Sequence, residues 1–250
     1  NRGEQTLPQS YEKQIAEAKV QLIESTNQTK ETQKVVLPDG SEVELYPEAR
    51  LSYEKDFSGT QRKVYLSGKG YFEVVKDVSK PFLVFSNNVV TQVVGTSFTI
   101  NSPKNASGVS VIVKSGKVKV FTIEQLEKAA SKTEEGLLVL TPNQQATYDP
   151  VRNTLSRTIT AKPEIIRSPE KYPDFNFKDT DIDEVFMTLE SSYGVTIEYD
   201  QQTFVKCSLT AQLGSEPLFK KLDIICKTID ATYEVWGTKI VITGKGCNAF

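Results

Sequence analysis

Along the first 160 residues apolar side chains come in short runs, and Gly, Pro, Asn or Ser separates one run from the next. The pattern is densest from Arg62 to Ile100. There Val64–Leu66, Tyr71–Val75, Phe82–Phe85 and Val89–Val94 are interrupted by Gly68-Lys69-Gly70, Pro81, Asn87-Asn88 and Gly95. Many of these residues are β-branched or aromatic and no window keeps an i, i+3, i+4 stripe, so the period is that of strands. Short strands punctuated this often predict a sandwich, a barrel or a β-solenoid.

On either side the reading continues. Val35–Leu37 and Val43–Leu45 alternate around Pro38-Asp39-Gly40-Ser41, turn chemistry that predicts a hairpin. Val109–Ile112 and Lys117–Phe121 flank Ser115-Gly116 as a further predicted hairpin, and Leu137–Leu140 and Gln145–Tyr148 resume the strands. Between them, Thr122–Gly136 is rich in helix formers and predicts a surface insertion with a short helix. Near the start, Tyr11, Ile15, Ala18 and Leu22 fall on one face of Ser10–Glu24 and predict a linker helix.

Past Ile159 the period changes. Three prolines (Pro163, Pro169 and Pro173) stand among charges and predict a linker. Phe175–Phe177 then reads as a strand. Ile182, Val185, Phe186 and Leu189 follow at helical spacing up to Gly194, a natural C′ glycine, and Val195–Tyr199 alternates. The plan repeats with Cys207–Thr210, a helical stripe through Leu218, Leu222, Ile225, Cys226 and Ile229, and a hairpin of Thr232–Val235 and Lys239–Ile242 around Trp236-Gly237. Two β-α-β units predict a compact α+β domain with both helices on one sheet. The predicted organisation is therefore a linker with a helix in 1–32, an all-β domain of sandwich-like or β-solenoid build in 33–160, a Pro-rich linker in 161–174 and a small α+β domain in 175–250.

Composition narrows the function. A net charge of −2 without a long basic run argues against a nucleic-acid footprint. No apolar run approaches the roughly 18 residues of a membrane span. No leader is visible and the first residue is Asn, which leads to the expectation of a fragment or processed form. Histidine is absent, so His-based catalysis and His metal ligands are excluded. Cys207, Cys226 and Cys247 lack C-x-x-C spacing, which speaks against a zinc or redox motif.

Few residues suggest chemistry. Asp179, Asp181, Asp183 and Glu190 have an EF-hand-like spacing, but Glu184 stands where the calcium loop needs Gly. Ile182, Val185 and Phe186 make the same stretch an amphipathic helix with an acidic first turn, which is the expected reading. Ser168 and Lys171 match an acyl-transfer spacing but lie among prolines and lack partner motifs. Gly68-Lys69-Gly70 and Gly244-Lys245-Gly246 lack the full phosphate-loop spacing and read as turns. The sequence calls for no enzyme activity, cofactor or metal.

Six short pieces in order carry a family resemblance: Leu37-Pro38-Asp39-Gly40-Ser41, Leu66-Ser67-Gly68 with Tyr71-Phe72-Glu73-Val74, Pro81-Phe82-Leu83-Val84, Val94-Gly95-Thr96-Ser97-Phe98, and Leu140-Thr141-Pro142 with Gln144. They resemble the core of FecR-type anti-sigma regulators. Asn143 departs from the family's usual Gly there, and Lys69 from its usual acidic residue. Phe175–Thr180, Leu189-Glu190, Tyr193-Gly194-Val195, Cys207-x-Leu209-Thr210 and Gly244–Cys247 resemble the small domain that often follows, which is similar to the secretin and TonB short N-terminal fold. The resemblance implies an inner-membrane protein with a periplasmic region, here without its transmembrane helix and cytoplasmic anti-sigma segment. It also implies two partners: the periplasmic signalling domain of a TonB-dependent outer-membrane transporter, and a cytoplasmic sigma factor.

Cys226 lies on the apolar helix face, which leaves Cys207 and Cys247 to pair in a disulfide suited to the periplasm. Trp236, at a hairpin tip, is a candidate partner anchor. Lys239 and Val241 are candidate contacts beside it, on a strand expected to be a sheet edge open to strand addition. The alternative reading is a glycan- or cell-wall-binding β-module with Tyr46, Tyr53, Tyr65 and Tyr71 as its platform.

Overall fold

The computed structural model describes residues 10–18, 20–104, 108–129 and 137–247. It divides into two compact units, one of residues up to Thr141 with Gln145–Arg157, the other of Pro142–Gln144 and Thr158 onward.

The first unit opens with helix α1 (Tyr11–Glu17), then strands β1 (Leu22–Thr26), β2 (Gln33–Val36), β3 (Glu42–Leu45), β4 (Arg50–Glu54) and β5 (Arg62–Glu73). It continues with β6 (Phe82–Ser86), β7 (Val89–Val93), β8 (Ser97–Ser102), β9 (Val109–Ser115), β10 (Val118–Thr122), α2 (Ile123–Ala129), β11 (Leu138–Leu140), β12 (Gln144–Asp149) and β13 (Thr154–Ile159). All thirteen strands belong to one hydrogen-bonded sheet, and β5 is the strand its two halves share. The first half of β5 pairs with β4 and, in parallel, with β6; its second half pairs with β3 and β8. Gly68 lies where one half gives way to the other. Its φ is +93° and a Cβ there would fall 2.8 Å from Ala49 Cα, so both the conformation and the space require glycine.

Inward side chains of both halves meet in one core. Leu45, Leu51, Val64, Leu66, Phe72, Phe82, Val84, Phe98, Ile100 and Val118 are fully buried there, and Phe72 stacks on Phe98 at 5.1 Å between ring centres. Each such side chain contributes about 1.5–3 kcal/mol of transfer free energy. The build is a nearly closed sheet folded over one core, which agrees with the all-β expectation.

Two local expectations change. β9 and β10 do not form a hairpin: β9 pairs with β8 and β12, and β10 with β7 and β11. The Ser115-Gly116 turn signal is real, but the chain uses it to pass from one half of the sheet to the other, because valines on both strands fill the shared core. Likewise the predicted linker helix stops early. Ser10 caps α1, but the chain turns extended at Ala18 (ψ 122°), and the β-branched stretch Leu22–Thr26 pairs with β4. The insertion helix α2 starts with a reciprocal cap: Gln125 N donates to Thr122 Oγ1 (3.3 Å) and Thr122 N to Gln125 Oε1 (2.7 Å). The rest of that insertion, 130–136, lies outside the described residues.

The second unit contains β14 (Asn176–Asp181), α3 (Ile182–Tyr193), β15 (Thr196–Glu198), α4 (Gln201–Phe204), β16 (Ser208–Gln212), α5 (Leu218–Thr228), β17 (Ala231–Trp236) and β18 (Lys239–Gly244). α3 ends on Gly194 at φ +64°, as its sequence predicts. The two β-α-β units do not share one sheet. Their first strands, β14 and β16, pair with each other, while β15, β18 and β17 form a second sheet in that order. Phe177, Ile182, Phe186, Leu189, Leu209, Leu222, Ile225 and Ile240 fill one core between them. The Cys207–Cys247 bond (Cα–Cα 5.2 Å) joins the start of β16 to the end of β18, linking the two small sheets; Cys226 is free and buried, and burial pushes its thiol up to about 11.

Residues 161–174 are not a free linker. Asn143, at φ +64°, donates from Nδ2 to the carbonyls of Glu164 (2.7 Å) and Tyr193 (2.8 Å) and accepts from Glu164 N (2.8 Å). Ile166 N donates to Ser192 O. The segment carries no strand or α-helix and ends in a 3-10 turn at Pro173–Phe175; backbone groups of such a segment still need partners, and the end of α3 supplies some of them.

Candidate docking face

The three-stranded sheet buries one face and bares the other. Ile240 and Ile242 of β18 face the core, and their opposite numbers on β17, Val235 and Tyr233, share that side. Tyr233 stacks on Phe219 of α5 and donates to Asp223 Oδ1 (3.1 Å); burial and that carboxylate push its phenol up to about 12. The alternate positions form the open face: Thr196 and Glu198 from β15, Lys239, Val241 and Thr243 from β18, Thr232, Glu234 and Trp236 from β17. Trp236 is 66% exposed. Its indole lies opposite Lys239 and donates from Nε1 to Glu234 Oε2 at 2.7 Å, while Lys239 pairs with Glu198 across the sheet.

Trp236, Lys239 and Val241 thus come together on one solvent-facing surface, but the strand expected to be the edge is not one. β18 is central, paired in parallel with β15 and antiparallel with β17. The last strand of the chain is placed between its neighbours because its Ile240 and Ile242 are completely buried, and the flanks suit strands with less to bury. The open edge is β17. The two-residue turn Gly237-Thr238 makes Trp236 and Lys239 a hydrogen-bonded pair, so the backbone groups of Tyr233 and Val235 point away from β18. An exposed indole on the open face therefore lies beside a strand edge that is unpaired among the described residues.

Other candidate groups disperse. Asp179 accepts from Ser208 Oγ, Asp183 from Tyr199 Oη and Glu190 from Ile197 N, so the EF-hand-like carboxylates serve different local partners. Among the described residues no three of His, Cys, Asp and Glu converge as metal ligands. The four-tyrosine platform does not form: Tyr53 and Tyr65 are each 9% exposed, and the partly buried Tyr46 lies under Lys69 Nζ at 3.9 Å.

Sequence reasoning missed the clamp at Arg62, which is 2% exposed. It donates from Nη1 to Asp39 Oδ2 (2.6 Å) and Val75 O (2.9 Å), and from Nε to Lys80 O (2.8 Å). Asp39 also accepts from Ser41 N and Oγ, and Ser41 Oγ in turn accepts from Val75 N. The Leu37–Ser41 motif is thereby tied to the ends of β5 and to the turn before β6. A lone polar residue opening a predicted strand, 23 positions from a turn aspartate, gave no signal of this.

Comparison with known proteins follows the same division. The FecR protein family model matches residues 24–119 and the FecR C-terminal model residues 174–242. Two crystal structures of a candidate anti-sigma factor from Parabacteroides distasonis are similar at 23% identity and a TM-score of 0.49, one covering 90% and the other 89% of this chain, and each 99% of the solved chain. No curated protein matches. Among the described residues no helix is long and apolar enough to cross a membrane. With both family modules present in order, the chain belongs to the FecR family of regulators.

Proposed function

We propose that this chain is the periplasmic signal-receiving region of a FecR-type anti-sigma regulator anchored in the inner membrane, and that it acts by protein contact and not by catalysis. The transmitting partner is the periplasmic signalling domain of a TonB-dependent outer-membrane transporter. The receiving end of the relay is a cytoplasmic sigma factor, reached through a segment outside this chain. The observation that carries the reading is the open face of the second unit, where Trp236 stands beside the unpaired edge of β17. An edge strand offers N–H and C=O groups to an incoming strand, and an exposed tryptophan supplies the apolar anchor that dominates many interfaces. Ligand occupancy at the transporter then shifts the regulator's state by the difference in affinity between its arrangements.

The test is co-purification of this chain with the isolated signalling domain of its cognate transporter. Retention is expected for the wild type. Retention by Tyr46→Ala/Tyr71→Ala but loss with Val235→Pro supports strand addition at β17. Retention that ignores Val235→Pro and Trp236→Ala moves the contact elsewhere, and no retention at all removes the transporter as partner.

A further inference from the structure

Helix α1 has seven residues, and only Tyr11 and Gln14 are buried. Helices this short do not persist alone in water, since nucleation is unfavourable and isolated helices of fewer than about 12–15 residues are marginal. α1 therefore exists by virtue of its docking site on the first unit. That site is polar. Tyr11 Oη donates to Glu24 Oε2 (3.0 Å) and pairs with Ser52 Oγ (2.6 Å), the Arg50 guanidinium lies 4.5 Å over the Tyr11 ring, and Arg50 pairs with Glu12. Gln14 Nε2 reaches the carbonyl of Asn87, but its Oε1 is buried with no partner among the described residues, which weakens the docked state. Nothing apolar from α1 enters the main core.

We propose that α1 is a releasable strap: it either docks as a helix over β5, with the Tyr11 side chain held by β1 and β4, or comes away and unfolds while the sheet beneath stays intact. β1 is held independently by its ladder with β4, so release stops at Leu22. It converts the segment between Ser10 and β1 into free chain with an extended span of up to about 40 Å at about 3.3 Å per residue. Docked, the strap holds Ser10 close to the sheet; released, it frees that end. This gives the regulator proposed above a two-state element on its N-terminal side, and it rests on that reading only for its purpose. Its test needs no partner.

Hydrogen exchange of the whole chain is measured by mass spectrometry. In the wild type, peptides covering α1 exchange faster than those covering β5. Tyr11→Phe keeps the ring but deletes the hydroxyl bonds, and is expected to speed exchange in α1 about tenfold, the loss of about one buried hydrogen bond, with β5 unchanged. Trypsin cleavage after Lys13, a residue with an exposed side chain, rises in parallel, and Arg50→Met acts in the same direction. Exchange of α1 at the same rate as β5 in the wild type overturns the proposal, because the helix then opens only with the whole unit. A Tyr11→Phe change that leaves both segments unaltered, or accelerates both equally, overturns it too.

Discussion

Asp39→Ala removes the anion from the clamp that closes the first unit. Three donors lose their acceptor: Ser41 N, Ser41 Oγ and Arg62 Nη1. Arg62 keeps the carbonyls of Val75 and Lys80 but no counter-charge, in a place where its side chain is 2% exposed. Stripping one partner from a buried pair typically costs about 3–5 kcal/mol, because the remaining charge stays desolvated. With a urea m-value of about 2 kcal/mol/M, the midpoint falls by about 2 M. Urea titration followed by circular dichroism in the sheet band measures this. The double variant Asp39→Ala/Arg62→Met separates charge from shape. It removes the orphaned guanidinium; relative to Asp39→Ala, in which Ser41 N and Oγ have already lost their acceptor, it newly leaves the Val75 and Lys80 carbonyls short of a donor, worth about 1–3 kcal/mol each at most, so it is expected to be no less stable than Asp39→Ala alone. A midpoint shift below about 0.3 M for Asp39→Ala, or a double variant far weaker than the single, refutes the clamp.

Three further outcomes concern the disulfide, Asn143 and three tyrosines of the two units. Peptide mapping without reduction is expected to find Cys207 joined to Cys247 and Cys226 as a thiol, and reduction is expected to cost about 4 kcal/mol for a loop of 40 residues in the chain-entropy model; a bonded Cys226 contradicts this. Asn143→Ala loses three hydrogen bonds and forces a Cβ residue to φ +64°, whereas Asn143→Gly loses only the bonds, so alanine is expected to destabilise by about 1 kcal/mol more than glycine. Burial foremost, with the carboxylates of Glu73, Asp183 and Asp223, raises the phenols of Tyr71, Tyr199 and Tyr233 to about 12. The folded state therefore favours the protonated phenol: this stability is intact below the unfolded pKa of about 10 and is lost as pH rises from about 10 to 12. Absorbance at the tyrosinate band is expected to rise in two steps, and a single step at about pH 10 excludes the shift.

Much of the fold is legible because it rests on local rules. The β2–β3 and β6–β7 hairpins follow from Pro38-Asp39-Gly40 and Asn87-Asn88, and α3 and α5 from apolar stripes with Gly194 as a stop. Pairing between distant strands is not local. Nothing near Ser115 states that β9 and β10 separate, since their partners are chosen by the core they share with β7 and β8. For the same reason the central position of β18 was invisible: burial of Ile240 and Ile242 identifies an inward face, and both an edge and a middle strand have one. The exposed face that carries Trp236 was partly legible. Alternation along the strand puts Lys239 and Val241 on one face, but the sequence predicts the turn at Trp236-Gly237, whereas Trp236 ends β17 opposite Lys239 and the turn is Gly237-Thr238. Arg62 and Lys221 escaped notice, and Asn143 was noticed only as a turn residue in place of Gly, because the roles of their side chains depend on backbone groups brought close by the fold. Lys221, fully buried, donates to the carbonyls of Gly214 (2.6 Å) and Glu216 (2.5 Å) under the ring of Phe175, and burial lowers its pKa.

The affinity of this chain for the periplasmic signalling domain of its cognate TonB-dependent transporter, measured by calorimetry for the wild type and for Trp236→Ala, tests the proposed relay most directly. Loss of a central aromatic anchor costs about 2 kcal/mol or more, so the alanine variant is expected to bind at least tenfold more weakly with its fold unchanged. Absence of wild-type binding, or equal affinity of the two proteins, contradicts docking at the face that carries Trp236.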